Sequence, residues 1–192
     1  MLKSIITFII LSSLLASCGS DIPVKLHKNY SFYVESQDPQ HRVLFKELAE
    51  EYNSDVGFEA LNVVDDRAAA NSTIVMTNNL QQVDGKIGWG QWMTETVEKT
   101  SPLTLHMSPA SKEVFFSMRV EFDVDYIDHR LRTNRIKDRT ELRKLWCHEV
   151  GHGLQLEHAA EQSDVMYYSI QGEKDFDTYF AQVRSFFSRQ IL

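Results

Sequence analysis

Four residues near the C-terminal end, His148, Glu149, His152 and His158, have the types and spacing to do chemistry. Three of the chain's seven histidines fall within this short stretch. On an α-helix, residues four apart stack on one face, so His148 and His152 present two imidazoles to a single ion. His158 follows too soon to lie on a second helix and must be delivered by a turn that folds the chain back. Neutral imidazoles suit zinc, and three protein ligands leave a fourth position open for water, the arrangement of a catalytic site. Glu149, between the first two ligands and not itself a ligand, is placed to act as general base and then acid.

These residues need a helix that ends sharply. Asp138 followed by Glu141 predicts a capping box at its start, with Leu142, Leu145, Trp146 and Val150 as its buried stripe and an end near Gly153. Cys147 is turned off the ligand face and reads as a small buried apolar residue. Upstream, Tyr30–Glu35 reads as a strand, and Asp38-Pro39 opens a helix with Val43, Leu44, Leu48 and Tyr52 inward, ending between Asn53 and Gly57. Strands follow at 58–64 and 73–76. Asp65 and Asp66 lack the spaced oxygen ligands of a calcium loop and read as a solvated turn. The run 86–92 is a strand with glycines at alternate positions. Its Ile87, Gly88, Trp89 and Gly90 either form an edge on which an extended peptide adds itself, or a bulged edge without a ligand. Segments 103–107 and 114–118 flank a hairpin signal, and His106 and His129 stand outside any ligand spacing.

The N-terminus begins with Lys3 and an apolar run from Ile5 to Leu15, shorter than the roughly 20 residues of a membrane-spanning helix. Residues 1–17 therefore read as a signal peptide, 18–29 as a tether and 30–192 as one catalytic domain. Leu15-Ala16-Ser17-Cys18 resembles a bacterial lipobox with Cys18 as the lipidated residue, ordinary secretion being the alternative. Gly19 after Cys18 favours the outer membrane as the place of attachment. Net charge is −7, with no basic stripe and interleaved aromatics, which argues against nucleic acid as a partner. With Cys18 acylated, Cys147 has no partner, and the fold must hold without disulfides.

The stretch His148 to His158 resembles the metzincin pattern H-E-x-x-H-x-x-G-x-x-H, and Asp164-Val165-Met166-Tyr167 resembles the methionine turn that follows it. The step from His158 to Met166 is similar to that of matrixins. The resemblance implies an α+β, zincin-like fold: a mixed twisted sheet with an edge substrate strand, an active-site helix, and a small C-terminal lobe with a last helix over 173–190. It implies a zinc-dependent endopeptidase with Met166 as a hydrophobic floor under the metal and a protein or peptide as substrate. By analogy with other metzincins, Tyr168 is a candidate oxyanion donor or fifth ligand. One position departs from the pattern: the family's glycine is Gln155, with Gly153 two residues earlier. Either Gln155 adopts the strained turn, or the helix ends sooner and His158 arrives by another path. In the second case Glu173 is a rival ligand, at the spacing by which thermolysin-like enzymes supply a carboxylate. A zinc-binding or peptide-binding envelope lipoprotein without catalysis is the alternative function.

Overall fold

A computed structural model describes residues 24–78, 80, 86–99, 111–133 and 135–188. The expected leader, Cys18, segment 103–107 with His106, the hairpin turn after it, and the end of the last helix lie outside these residues.

The strands are β1 (Val24–Lys25), β2 (Tyr30–Glu35), β3 (Leu61–Val64), β4 (Ser72–Thr77), β5 (Gly88–Lys99) and β6 (Ser111–Asp123). The helices are α1 (Pro39–Val56), α2 (Val124–Thr133), α3 (Ile136–Gly153) and α4 (Phe176–Ser188). The result is an α+β fold with a mixed, mostly parallel sheet ordered β1-β6-β4-β2-β3. The exception is β5, which pairs antiparallel with β6 from Gly88 opposite Phe122 to Lys99 opposite Ser111. The other side of β6 is taken by β1 and β4, so β5 is an edge strand among the described residues.

Local chemistry accounts for most of these elements. In β2 the alternating Tyr30, Phe32 and Val34 are buried, as a strand with one face on the core requires. Asp38 accepts a hydrogen bond from the Gln40 amide, Pro39 occupies the first turn, and Gly57 closes α1 at φ 90°. The buried stripe of α1 is Leu44, Phe45, Leu48, Ala49, Tyr52 and Val56, whereas Val43, expected inside, is exposed. Strand β3 is shorter than expected and leaves Phe58 part-exposed.

Three other expectations are corrected. Segment 114–118 is the middle of a longer strand whose hairpin partner is β5. Part of the expected tether is joined to the sheet, since Val24 and Lys25 pair with Val114 and Phe115 and His27 stacks on Phe115. The Asp138–Glu141 capping box does not form. Helix α3 is capped at Arg135, three residues earlier, Asp138 accepts from the Thr133 hydroxyl at 2.7 Å, and Glu141 is engaged by Arg130.

Trp146 sets the rotation of α3. It is buried with its ring against Phe32, Phe45 and Phe122, at centroid distances of 5.6, 5.6 and 6.2 Å. Burying roughly 200 Å² of indole is worth about 5 kcal/mol, enough to fix which face of the helix meets the core. The positions two, three and six residues later then face β5 and the solvent cleft.

Candidate functional site

Three imidazoles converge at the end of α3. His152 Nε2 lies 3.2 Å from His148 Nε2 and 3.1 Å from His158 Nε2. A tetrahedron with metal–nitrogen distances of about 2.0–2.1 Å has edges of about 3.3 Å, so the spacing fits zinc. The other ring nitrogens support the same conclusion. His148 Nδ1 donates to the Val165 carbonyl at 2.8 Å, and His152 Nδ1 donates to the Leu156 carbonyl at 3.1 Å. Each donation fixes the tautomer and leaves an Nε2 lone pair for a metal. Burial holds His148 neutral, pushing it down to about 4, and burial lowers His152 as well. Neutral imidazole is the ligating form.

The turn that brings His158 back runs through Gln155 at φ 63°, the one non-glycine residue with positive φ among those described. The Gln155 amide donates to the His152 carbonyl at 3.0 Å and the Leu156 amide to the Gly151 carbonyl at 2.9 Å. This is a complete Schellman motif with glutamine in the position glycine usually takes. Helix α3 thus ends at Gly153, as the sequence predicts, and Gln155 still makes the strained turn. Leu156, set by that turn, supplies the carbonyl that orients His152. Glu173 does not belong to the histidine cluster, which consists of His148, His152 and His158.

Backbone of the segment 164–167 holds the site from below. The Met166 amide donates to the Asp164 carboxylate at 2.7 Å, and the Tyr167 amide to the Asp164 carbonyl at 3.2 Å. The turn so formed aims Val165 O at His148, while Met166 O accepts from the Ala159 amide at 3.0 Å, next to His158. Met166 itself is buried against Gly151, where an added Cβ would fall 2.3 Å from its sulfur. The sequence marked Met166 but not these carbonyls, which carry no side-chain signal.

Glu149 is buried and faces β5. Burial raises its carboxyl to about 7, against a hydrogen bond from the Gly90 amide and the charge of Lys86, both of which lower it. The glycines of β5 serve this residue. A Cβ at Gly88 would lie 2.7 Å from the Glu149 carboxylate and one at Gly90 only 1.8 Å from its carbonyl. The close approach that alternating glycines predicted is therefore to α3. Among the described residues no strand pairs with the outer edge of β5, and Ile87, Gly88, Trp89 and Gly90 line a cleft of about 570 Å³ with the three histidines, Glu149 and Tyr168. Tyr168 is 72% exposed there and makes no hydrogen bond to the histidines.

A second group, Asp38, His41 and Asp128, also brings metal-binding atom types together. Both His41 nitrogens are already engaged, by Ser36 Oγ at 2.7 Å and Asp128 Oδ1 at 2.7 Å, which makes this a clasp between α1 and α2. Cys147 is buried and burial raises its thiol, so it is inert, as its place beside His148 suggested.

Comparison with curated proteins finds no match. A family profile described as Matrixin matches residues 17–181, a span that includes every residue of the histidine site and its methionine turn. The chain belongs to the matrixins, a family of zinc-dependent metallopeptidases.

Proposed function

We propose that this chain is an endopeptidase that binds an extended peptide along β5 and hydrolyses it beside Glu149. The observation that carries the reading is the meeting of three imidazole Nε2 atoms with a buried carboxylate in one cleft on a free sheet edge. His148, His152 and His158 would hold zinc, which when bound supplies a Lewis acid for the attacking water and the scissile carbonyl. Glu149 takes the water's proton and returns it to the leaving amine. Burial raises its carboxyl to about 7 in the metal-free site, and a zinc ion beside it would draw that value down, towards the proton acceptor that the first step needs. The backbone of Ile87, Gly88, Trp89 and Gly90 aligns the substrate, and Tyr168, exposed in the same cleft, is the side-chain donor we assign to the developing oxyanion. The leader and Cys18 support a lipid-anchored protein of the cell envelope, with its substrate met outside the cytoplasm.

The test combines metal content with cleavage. Purified protein should carry about one zinc per chain, lost in His158→Ala. Zinc-loaded Glu149→Ala should retain the metal and lose cleavage of a peptide library. Zinc without cleavage in the wild type would replace this reading with a binding protein, and cleavage that persists in Glu149→Ala would remove Glu149 from its role.

A further inference from the structure

The cleft at the histidines continues past the site. Its wall at Ile87, Ile170 and Gln171 is shared with a second cavity of about 860 Å³. Helix α2 lines that cavity with Tyr126 and Arg130, and α3 with Lys137, Glu141 and Lys144, residues that share one helical face. Residues 170–173 close it.

The charges in this cavity do not cancel. Arg130 donates to Glu141 through two nitrogens and lies 3.7 Å from the centre of the Tyr126 ring. Lys137 stands 3.9 Å from the second oxygen of the same carboxylate. Glu141 is thus shared by two cations. Lys144 donates to the Gly172 carbonyl, a neutral partner that leaves its charge uncompensated by that contact. Among the described residues no carboxylate lies within ion-pair distance of it. Glu173, which is exposed, is the only other acid in the lining among the described residues, so Arg130, Lys137 and Lys144 leave one positive charge in excess. An apolar side chain filling this space would desolvate Lys144 without compensation.

We infer that this cavity is a carboxylate subsite, in which a peptide held at the histidines places an acidic side chain or its own C-terminal carboxylate against Lys144. The inference rests on the peptidase reading and names the substrate class of that site.

The zinc-loaded chain would be offered quenched fluorescent peptides that carry Glu or its neutral isostere Gln at one position at a time, on both sides of the cleaved bond. A second set would end in a free or an amidated carboxyl group. The expected result is a preference of about tenfold in kcat/KM for the charged form, either at one side-chain position or at the free terminus, which tells the two carboxylate sources apart. The preference should fall to about one in Lys144→Met and persist in Lys144→Arg. A ratio near one throughout both sets overturns the inference, as does a preference that Lys144→Met leaves intact. The same pairs, bound to zinc-loaded Glu149→Ala and read by fluorescence anisotropy, separate the two readings. If the wild type cleaves nothing, the peptidase reading fails and the binding ratio alone decides the subsite.

Discussion

Replacing Gln155 by glycine should stabilise this protein. Gln155 follows the C-cap of α3 at φ 63°, with an exposed side chain that forms no hydrogen bond among the described residues. A non-glycine residue in the left-handed region costs about 1–2 kcal/mol. Glycine removes that cost but returns about 0.4–1 kcal/mol through the greater freedom of the unfolded chain. The net gain is about 0.5–1 kcal/mol. For a domain of this size it corresponds to a rise in Tm of about 1–4 °C, measurable by circular dichroism with and without zinc. Comparing the two conditions also locates the strain. If the turn is formed before metal binds, the gain is equal in both and zinc affinity is unchanged. If the turn closes only around the ion, the gain appears as zinc binding tighter by about two- to fivefold. A glycine variant that melts lower, or releases zinc more readily, would refute the assignment of strain to this residue.

Two further outcomes follow from the packing of Glu149. Its carboxyl is raised to about 7 by burial, so the zinc-free fold keeps a proton that the unfolded chain loses above about 4.5, and stability falls as pH rises through that window. Glu149→Gln lacks this loss, and its advantage over the wild type in urea unfolding with chelator should grow by about 3 kcal/mol between about pH 4.5 and 7; an advantage constant with pH would contradict the burial argument. At β5, Gly90→Ala places a Cβ 1.8 Å from a backbone carbonyl that cannot swing aside, and should cost about 3 kcal/mol by denaturant titration. Gly88→Ala meets the Glu149 side chain from its carboxylate at 2.7 Å to its Cγ at 2.9 Å, but no backbone, and should cost less stability while lowering peptide cleavage. Equal stability losses at the two glycines would show that β5 moves as a whole.

What could be read from the sequence was what neighbouring residues decide. Asp38-Pro39 and Gly57 bound α1 because caps are local, and the His148 to Met166 stretch is legible because its chemistry is written within a few turns of chain. Val43 was misplaced because the rotation of α1 is set by distant partners, Phe122 under Phe45 and Tyr179 against Tyr52. Helix α2 escaped notice for a related reason. It fully buries only Ile127, with Tyr126 and Leu131 part-buried against the core, and Asp125, Asp128, Arg130 and Arg132 interrupt a short apolar stripe of Val124, Ile127 and Leu131. Its start is marked by Asp123, whose carboxylate accepts from the Tyr126 amide at 3.0 Å. Asp138 and Glu141 had the spacing of a capping box, but Thr133 and Arg130 claimed their oxygens first. The contact of Gly88 and Gly90 with Glu149 joins residues some sixty positions apart, and no pattern along the chain encodes which surface a glycine will meet.

The Tyr179 hydroxyl donates to the Cys147 carbonyl at 2.6 Å, one residue before the first ligand, and lies 3.2 Å from the Tyr52 hydroxyl. All of this is buried, with the ring of Tyr179 also touching the position where Gly151 lacks a side chain. The last helix cannot fray away independently of the ligand helix without leaving these hydroxyls stranded in apolar surroundings. In deuterium exchange, the amides of α4 and of the second half of α3 should therefore open together as a single cooperative unit, making the tail of the chain a remote reporter of whether the histidines are in place.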